Sequence, residues 1–88
     1  MAESSELQKV LGANLYRMRQ ERGYSQEEFA QYILDVHRTY VGALERGERN
    51  PSLLSVEKIA GKLGVEPLWL LHEHPDDEPL PASFTAGK

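Results

Sequence analysis

Eighty-eight residues with no cysteine and a formal net charge of -4 set the first limits. A chain this short has apolar surface for one small core, and without thiols it has no disulfide staple, no thiolate metal site and no cysteine nucleophile. No apolar run approaches the roughly 18 residues of a membrane span, so the chain reads as cytoplasmic. The acid excess argues against nucleic acid at first sight, because phosphate-binding domains usually carry a basic surplus. Its distribution removes the objection. Residues 7–72 hold nine Lys or Arg against eight acids, and the surplus acids sit outside them, at Glu3 and Glu6 and at Glu73, Asp76, Asp77 and Glu78. What matters for DNA is whether one face collects the arginines.

In chain order, residues 1–5 read as a flexible start, and Ser5-Glu6-Leu7-Gln8 is a capping box. Leu7, Val10, Leu11, Leu15 and Met18 follow at helical spacing, to a stop near Arg22 with Gly23 as left-handed terminator. Ser25 is the next N-cap, with Glu28 returning the bond and Tyr24 and Phe29 placed as a hydrophobic staple. That helix runs from Gln26 to about Ile33. A break at Leu34-Asp35 precedes a third helix, over about 37–45, in which Val36 and Val41 staple across His37 and Gly47 stops the chain after Leu44-Glu45-Arg46. Asn50-Pro51-Ser52 is a turn. Val56, Ile59, Ala60 and Leu63 then mark a fourth helix ending at Gly64, and Pro67 opens a short fifth one carrying Leu68, Trp69, Leu70 and Leu71. From Glu73 the run of prolines and acids predicts an extended, flexible tail over residues 73–88, leaving residues 6–72 as the folded domain.

Three segments taken together, Ser25-Gln26-Glu27-Glu28-Phe29-Ala30, Val36-His37-Arg38-Thr39-Tyr40-Val41 and Leu44-Glu45-Arg46-Gly47-Glu48-Arg49-Asn50-Pro51-Ser52, resemble the phage-repressor and Cro type of helix-turn-helix, the XRE family. The match covers about Leu7 to Leu71. Within that family, His37-Arg38-Thr39-Tyr40 with Arg49-Asn50-Pro51-Ser52-Leu53-Leu54 is similar to the controller proteins of restriction-modification systems. The resemblance implies an all-α, five-helix DNA-binding domain. One departure stands out: the family spaces the helix 2 Ala five residues from the following Val or Ile, with Gly in the turn. Here Ala30 to Val36 is six, without Gly. The additional residue has to be absorbed by a longer helix 2 or a looser turn, with Asp35 the residue best suited to a positive φ.

In this docking mode the amino end of the motif's second helix faces base edges. Arg38 can offer paired donors to guanine, Thr39 a methyl and a hydroxyl, and Gly42 and Ala43 the small bulk that permits close approach. Gln26, Tyr40, Arg49 and Asn50, with Arg17 or Arg19 on the first helix, are the phosphate-contacting set, Gln26 through its place beside a helix N-terminus. Glu45 and Arg46 read as structural. His72-Glu73-His74 with Asp76 and Asp77 has metal-ligand residue types but no fixed geometry beside Pro75, so neither metal nor cofactor is expected. No nucleophile–base pair or Gly-rich phosphate loop points to an enzyme.

Specific reading of double-stranded DNA calls for a two-fold homodimer with recognition helices about 34 Å apart. Leu68, Trp69 and Leu71 are the expected seam, since four consecutive apolar residues exceed what one face of a short helix buries. The leading reading is a transcriptional regulator, repressor or activator. The rival is a protein-interaction module on the same fold, an antitoxin or accessory factor, binding a protein partner through the fifth helix and the tail that contains Leu80 and Phe84.

Overall fold

The computed structural model describes residues 4–86, and among them there are helices and no strands. The order is α1 (Glu6–Glu21), α2 (Gln26–Glu28) running directly into a π-helical turn (Phe29–Leu34), α3 (Arg38–Glu45), α4 (Leu53–Leu63), α5 (Pro67–Leu70) and α6 (Ala82–Ala86). Local chemistry sets most of these boundaries. The Ser5 hydroxyl accepts from the Gln8 N–H while the Gln8 amide oxygen accepts from the Ser5 N–H, both at 3.1 Å. Ser25 and Glu28 repeat the box at the start of α2, and the Ser52 hydroxyl caps α4 through the Ser55 N–H at 3.0 Å. Each such cap occupies an amide that the first turn would otherwise leave unpaired.

One core joins the helices. Leu11, Leu15 and Met18 of α1 meet Phe29, Ala30 and Leu34 of the π-helical segment, Val41 and Leu44 of α3, Val56, Ile59, Ala60 and Leu63 of α4, and Leu70 of α5. Helices α1 and α3 touch backbone to backbone, because a Cβ at Gly12 would lie 2.3 Å from the Leu44 carbonyl oxygen. Any side chain there would push the two helices apart.

The additional residue between Ala30 and Val36 is taken up by the π-helical turn, and Asp35 closes it in the left-handed region at φ 56°, ψ 51°. The closing bonds display the extra residue directly. Beyond the terminators Gly23, Gly47 and Gly64, the next amide reaches back five residues: Tyr24 to Arg19, Glu48 to Ala43 and Val65 to Ala60. Beyond Asp35, the Val36 N–H reaches back six, to the Ala30 carbonyl at 3.0 Å. The wider loop keeps Leu34 in the core beside Phe29 and Ala30, so one more residue fits without turning the apolar face outward.

The C-terminal segment departs from the expected flexible tail. It folds back on the helices, with Leu80 buried, Phe84 only 1% exposed, and α6 formed after Pro81. The Arg17 guanidinium donates to the carbonyls of Pro75 and Glu78, and that of Arg22 donates to the Phe84 carbonyl while lying 4.0 Å over its ring. The Ser83 hydroxyl donates to the Gly64 carbonyl. His74 stacks on Trp69 with ring centroids 4.1 Å apart and bridges the Trp69 carbonyl and the Glu78 carboxylate. Prolines and acids do stop a long helix here, but two large apolar side chains remain to be buried, each worth about 1.5–3 kcal/mol, and arginine donors satisfy the irregular backbone. The expected flexible start is likewise tied where it can be followed. The Ser4 hydroxyl donates to the Gly47 carbonyl at 2.7 Å and Ser5 caps α1, while residues 1–3 of that stretch and residues 87–88 of the tail lie outside the described residues. No helix among the described residues is long and apolar enough to cross a membrane, and no group of His, Asp or Glu among them could hold a metal ion.

Candidate nucleic-acid interface

Helix α3 presents two unlike faces. Val41 and Leu44 are 0% and 1% exposed against the core, while Arg38 and Thr39, in its first turn, are exposed. His37 is its N-cap, with Nδ1 accepting from the Thr39 N–H at 3.2 Å. Three residues beyond α3's C-cap, Arg49 is exposed with its guanidinium 4.9 Å over the half-buried Tyr40 ring, and Asn50 beside it is exposed as well. The loop that carries them is held from beneath. The Gln8 amide nitrogen, buried in α1, donates to the Gly47 and Arg49 carbonyls at 3.3 and 3.1 Å.

A buried charge pair fixes α3 relative to α1 and α2. Arg19 meets the Glu45 carboxylate with Nε at 2.7 Å and Nη2 at 3.1 Å, and its Nη1 donates to the Tyr24 carbonyl at 2.8 Å. The Gln26 amide donates to the same carboxylate at 3.1 Å. The hydrogen bond that Arg19 donates to Glu45 raises the guanidinium pKa above its ordinary value, with burial working in the opposite direction. Glu45 therefore joins three helices through one carboxylate.

Several expected contact residues stand elsewhere. Arg19 is buried in the pair with Glu45 and is not available to phosphate. The signal was in the spacing, since Leu11, Leu15 and Arg19 follow one another at four-residue steps on the apolar stripe. Gln8 lies on the same stripe, three residues before Leu11, and serves both as the capping-box partner of Ser5 and as the donor beneath the loop. Arg17 is turned to the C-terminal segment, where two carbonyls take its donors. Gly42 is buried rather than facing a groove: a Cβ there would lie 3.1 Å from the Arg46 guanidinium and 3.3 Å from the Gln26 amide oxygen. Its smallness serves the α2–α3 approach. Ala43 is half-buried. At the expected seam, Leu68 is 76% exposed, but Trp69 is covered by its own His74.

Two lysines join the surface that the sequence did not single out. A cleft of about 350 Å³ runs beside the amino end of α3, floored by Leu34, Val36 and Ile59 and rimmed by His37, Tyr40, Ser55, Lys58 and Lys62. Lys62 donates to the Leu34 carbonyl at 2.6 Å and Lys58 is exposed. Cations thus gather near Tyr40, Arg49 over its ring and Lys58 with Lys62 along the cleft that it lines.

The profile described as "Helix-turn-helix" matches residues 15–70, which spans α2, its π-helical turn and α3. The chain belongs to the helix-turn-helix family. Among the relatives of this helix-turn-helix protein, Control protein C.BamHI of Bacillus amyloliquefaciens is 35% identical over 77% of this chain and 84% of its own. Control protein C.MunI of a Mycoplasma species is 46% identical over 61% and 73%. Two solved structures share the fold. A hypothetical transcription factor from Neisseria has a TM-score of 0.69 at 38% identity, covering 83% of each chain. The restriction-modification controller protein C.AhdI from Aeromonas hydrophila has a TM-score of 0.61 at 40% identity, over 72% of this chain and 94% of that one. The helix-turn-helix relatives are transcriptional regulators and controller proteins, not enzymes.

Proposed function

We propose that this helix-turn-helix protein is a sequence-specific transcriptional regulator that occupies a DNA operator as a two-fold homodimer, with α3 as the recognition helix. The observation that carries the reading is the amino end of α3. Arg38 and Thr39 stand exposed on a helix whose other face is locked in the core, flanked by the Arg49–Tyr40 pair and by Lys58. An arginine there can offer parallel donors to guanine O6 and N7, while Arg49, Asn50, Tyr40 and Lys58 are the side chains that would meet phosphates. Gln26 reaches the backbone from the start of α2, its amide steadied by Glu45. The bonds that hold the acidic C-terminal segment run to α1, α4 and α5, and Arg38 and Thr39 remain exposed beside it.

For the dimer, the exposed leucines support a seam wider than α5. Leu68 at 76%, Leu53 at 78% and Leu7 at 55% are exposed, and Leu7, Leu53 and the half-buried Leu71 line one shallow groove. Trp69 is a weaker member because His74 already covers it. The restriction-modification controller role follows the relatives' names and is part of the proposal. Selection of bound sites from random DNA tests the reading: an enriched palindrome with half-sites one helical turn apart, or a multiple of it, is the expected result. The rival reading, a protein partner bound through the tail, loses the observation behind it, since Leu80 and Phe84 are buried against the chain's own core.

A further inference from the structure

The N-cap of α3 does more than start a helix. His37 Nδ1 accepts from the Thr39 backbone N–H at 3.2 Å and lies 2.9 Å from the Thr39 hydroxyl. A backbone N–H can only donate, so Nδ1 carries the lone pair and the ring proton of the neutral imidazole sits on Nε2. That Nε2–H has no hydrogen-bond partner among the described residues, and the side chain is exposed next to Arg38. The cap holds the ring at one nitrogen and thereby leaves, on an exposed side chain at the leading end of the helix, a donor of known tautomer.

We propose that His37 reads DNA directly, its Nε2–H donating to the N7 of a purine in the major groove beside the base bound by Arg38. The assignment rests on α3 being the recognition helix. In that docking mode the amino end of the helix enters the groove first, and a single fixed donor fits the N7 acceptor that both purines present at the major-groove edge, whereas cytosine offers a competing donor at that edge. Thr39 then has two parts. Its hydroxyl is held by His37, and its methyl is left for an apolar contact with a thymine.

The test uses His37→Asn beside Arg38→Ala and the unaltered protein. Asparagine is among the best N-cap residues, so it keeps the cap acceptor while ending short of the position of Nε2. Binding is measured by fluorescence anisotropy on a selected site, with each purine of a half-site replaced in turn by its 7-deaza analogue. The unaltered protein should lose affinity at two purines. Arg38→Ala should abolish the response at one and His37→Asn at the other, each as a loss of about three- to tenfold, the size of one net hydrogen bond. The assignment is overturned if His37→Asn keeps every response, or if it weakens selected and scrambled DNA alike, which would mean a phosphate contact. If His37→Asn does not fold, the other two proteins still decide: a single responsive purine, lost in Arg38→Ala, refutes the proposal. No preference of the unaltered protein for selected over scrambled DNA brings down the recognition-helix reading itself, and this assignment with it.

Discussion

Replacing Arg19 with methionine should remove a large share of the protein's stability. The side chains of Arg19 and Glu45 are 10% and 5% exposed, and the carboxylate has only the Gln26 amide left once the guanidinium is gone. A surface ion pair is worth about 0–1 kcal/mol, but stranding a buried charge costs about 3–5 kcal/mol. A domain of this length holds roughly 4–13 kcal/mol in all, at about 0.05–0.15 kcal/mol per residue. With a urea dependence of about 1–2 kcal/mol per molar for so small a protein, a loss of about 3–5 kcal/mol should lower the unfolding midpoint by about 1.5–5 M. Adding Glu45→Met should restore most of the loss, because it removes the stranded charge and fills similar volume. Urea unfolding followed by far-UV circular dichroism measures both. A loss under about 1 kcal/mol for the single variant, or no recovery in the double one, would refute the view that this pair is what fixes α3 against α1.

Other parts of the structure make equally definite claims. Asp35 holds a positive φ, so Asp35→Gly should raise stability by about 0.5–1 kcal/mol and Asp35→Val should lower it, both read by thermal unfolding. Phe84→Ala should release the C-terminal segment, making residues 73–86 sensitive to protease and fast in hydrogen exchange, while DNA affinity stays within about twofold because the segment is held by α1, α4 and α5. Gln8→Ala removes the donor to the Gly47 and Arg49 carbonyls. It should cost about 1–3 kcal/mol of stability and weaken DNA binding without changing the preferred sequence. Leu68→Glu should weaken a concentration-dependent dimer in sedimentation, and an unaltered association constant would move the seam away from α5.

Much of this fold could be read from local signals. Ser5 with Gln8, Ser25 with Glu28, and the terminators Gly23, Gly47 and Gly64 act within one turn of themselves, so their chemistry is visible in a few letters. Asp35 belongs with them, because a six-residue gap without glycine leaves few residues able to close it. The C-terminal segment was not legible for the opposite reason. Leu80 and Phe84 find their cover on helices more than a dozen residues away, and proline and acid content describes only what the segment cannot do alone. The arginines of α1 fall between these cases. Residue type made Arg17 and Arg19 look like phosphate ligands, while position on the stripe placed Arg19 inside. Gly42 and Trp69 were placed by neighbours that local reading does not show, the Gln26 and Arg46 side chains against one and the His74 ring stacked on the other.

The central claim is that an exposed arginine at the front of α3 reads DNA. Titration of unaltered protein and Arg38→Ala against selected and scrambled duplexes, over a range of salt, tests it most directly. Both proteins should show a steep salt dependence, and the preference for the selected site should fall in Arg38→Ala by about 1–3 kcal/mol at one base pair. Equal preference in the two proteins, or binding that ignores salt, would contradict it.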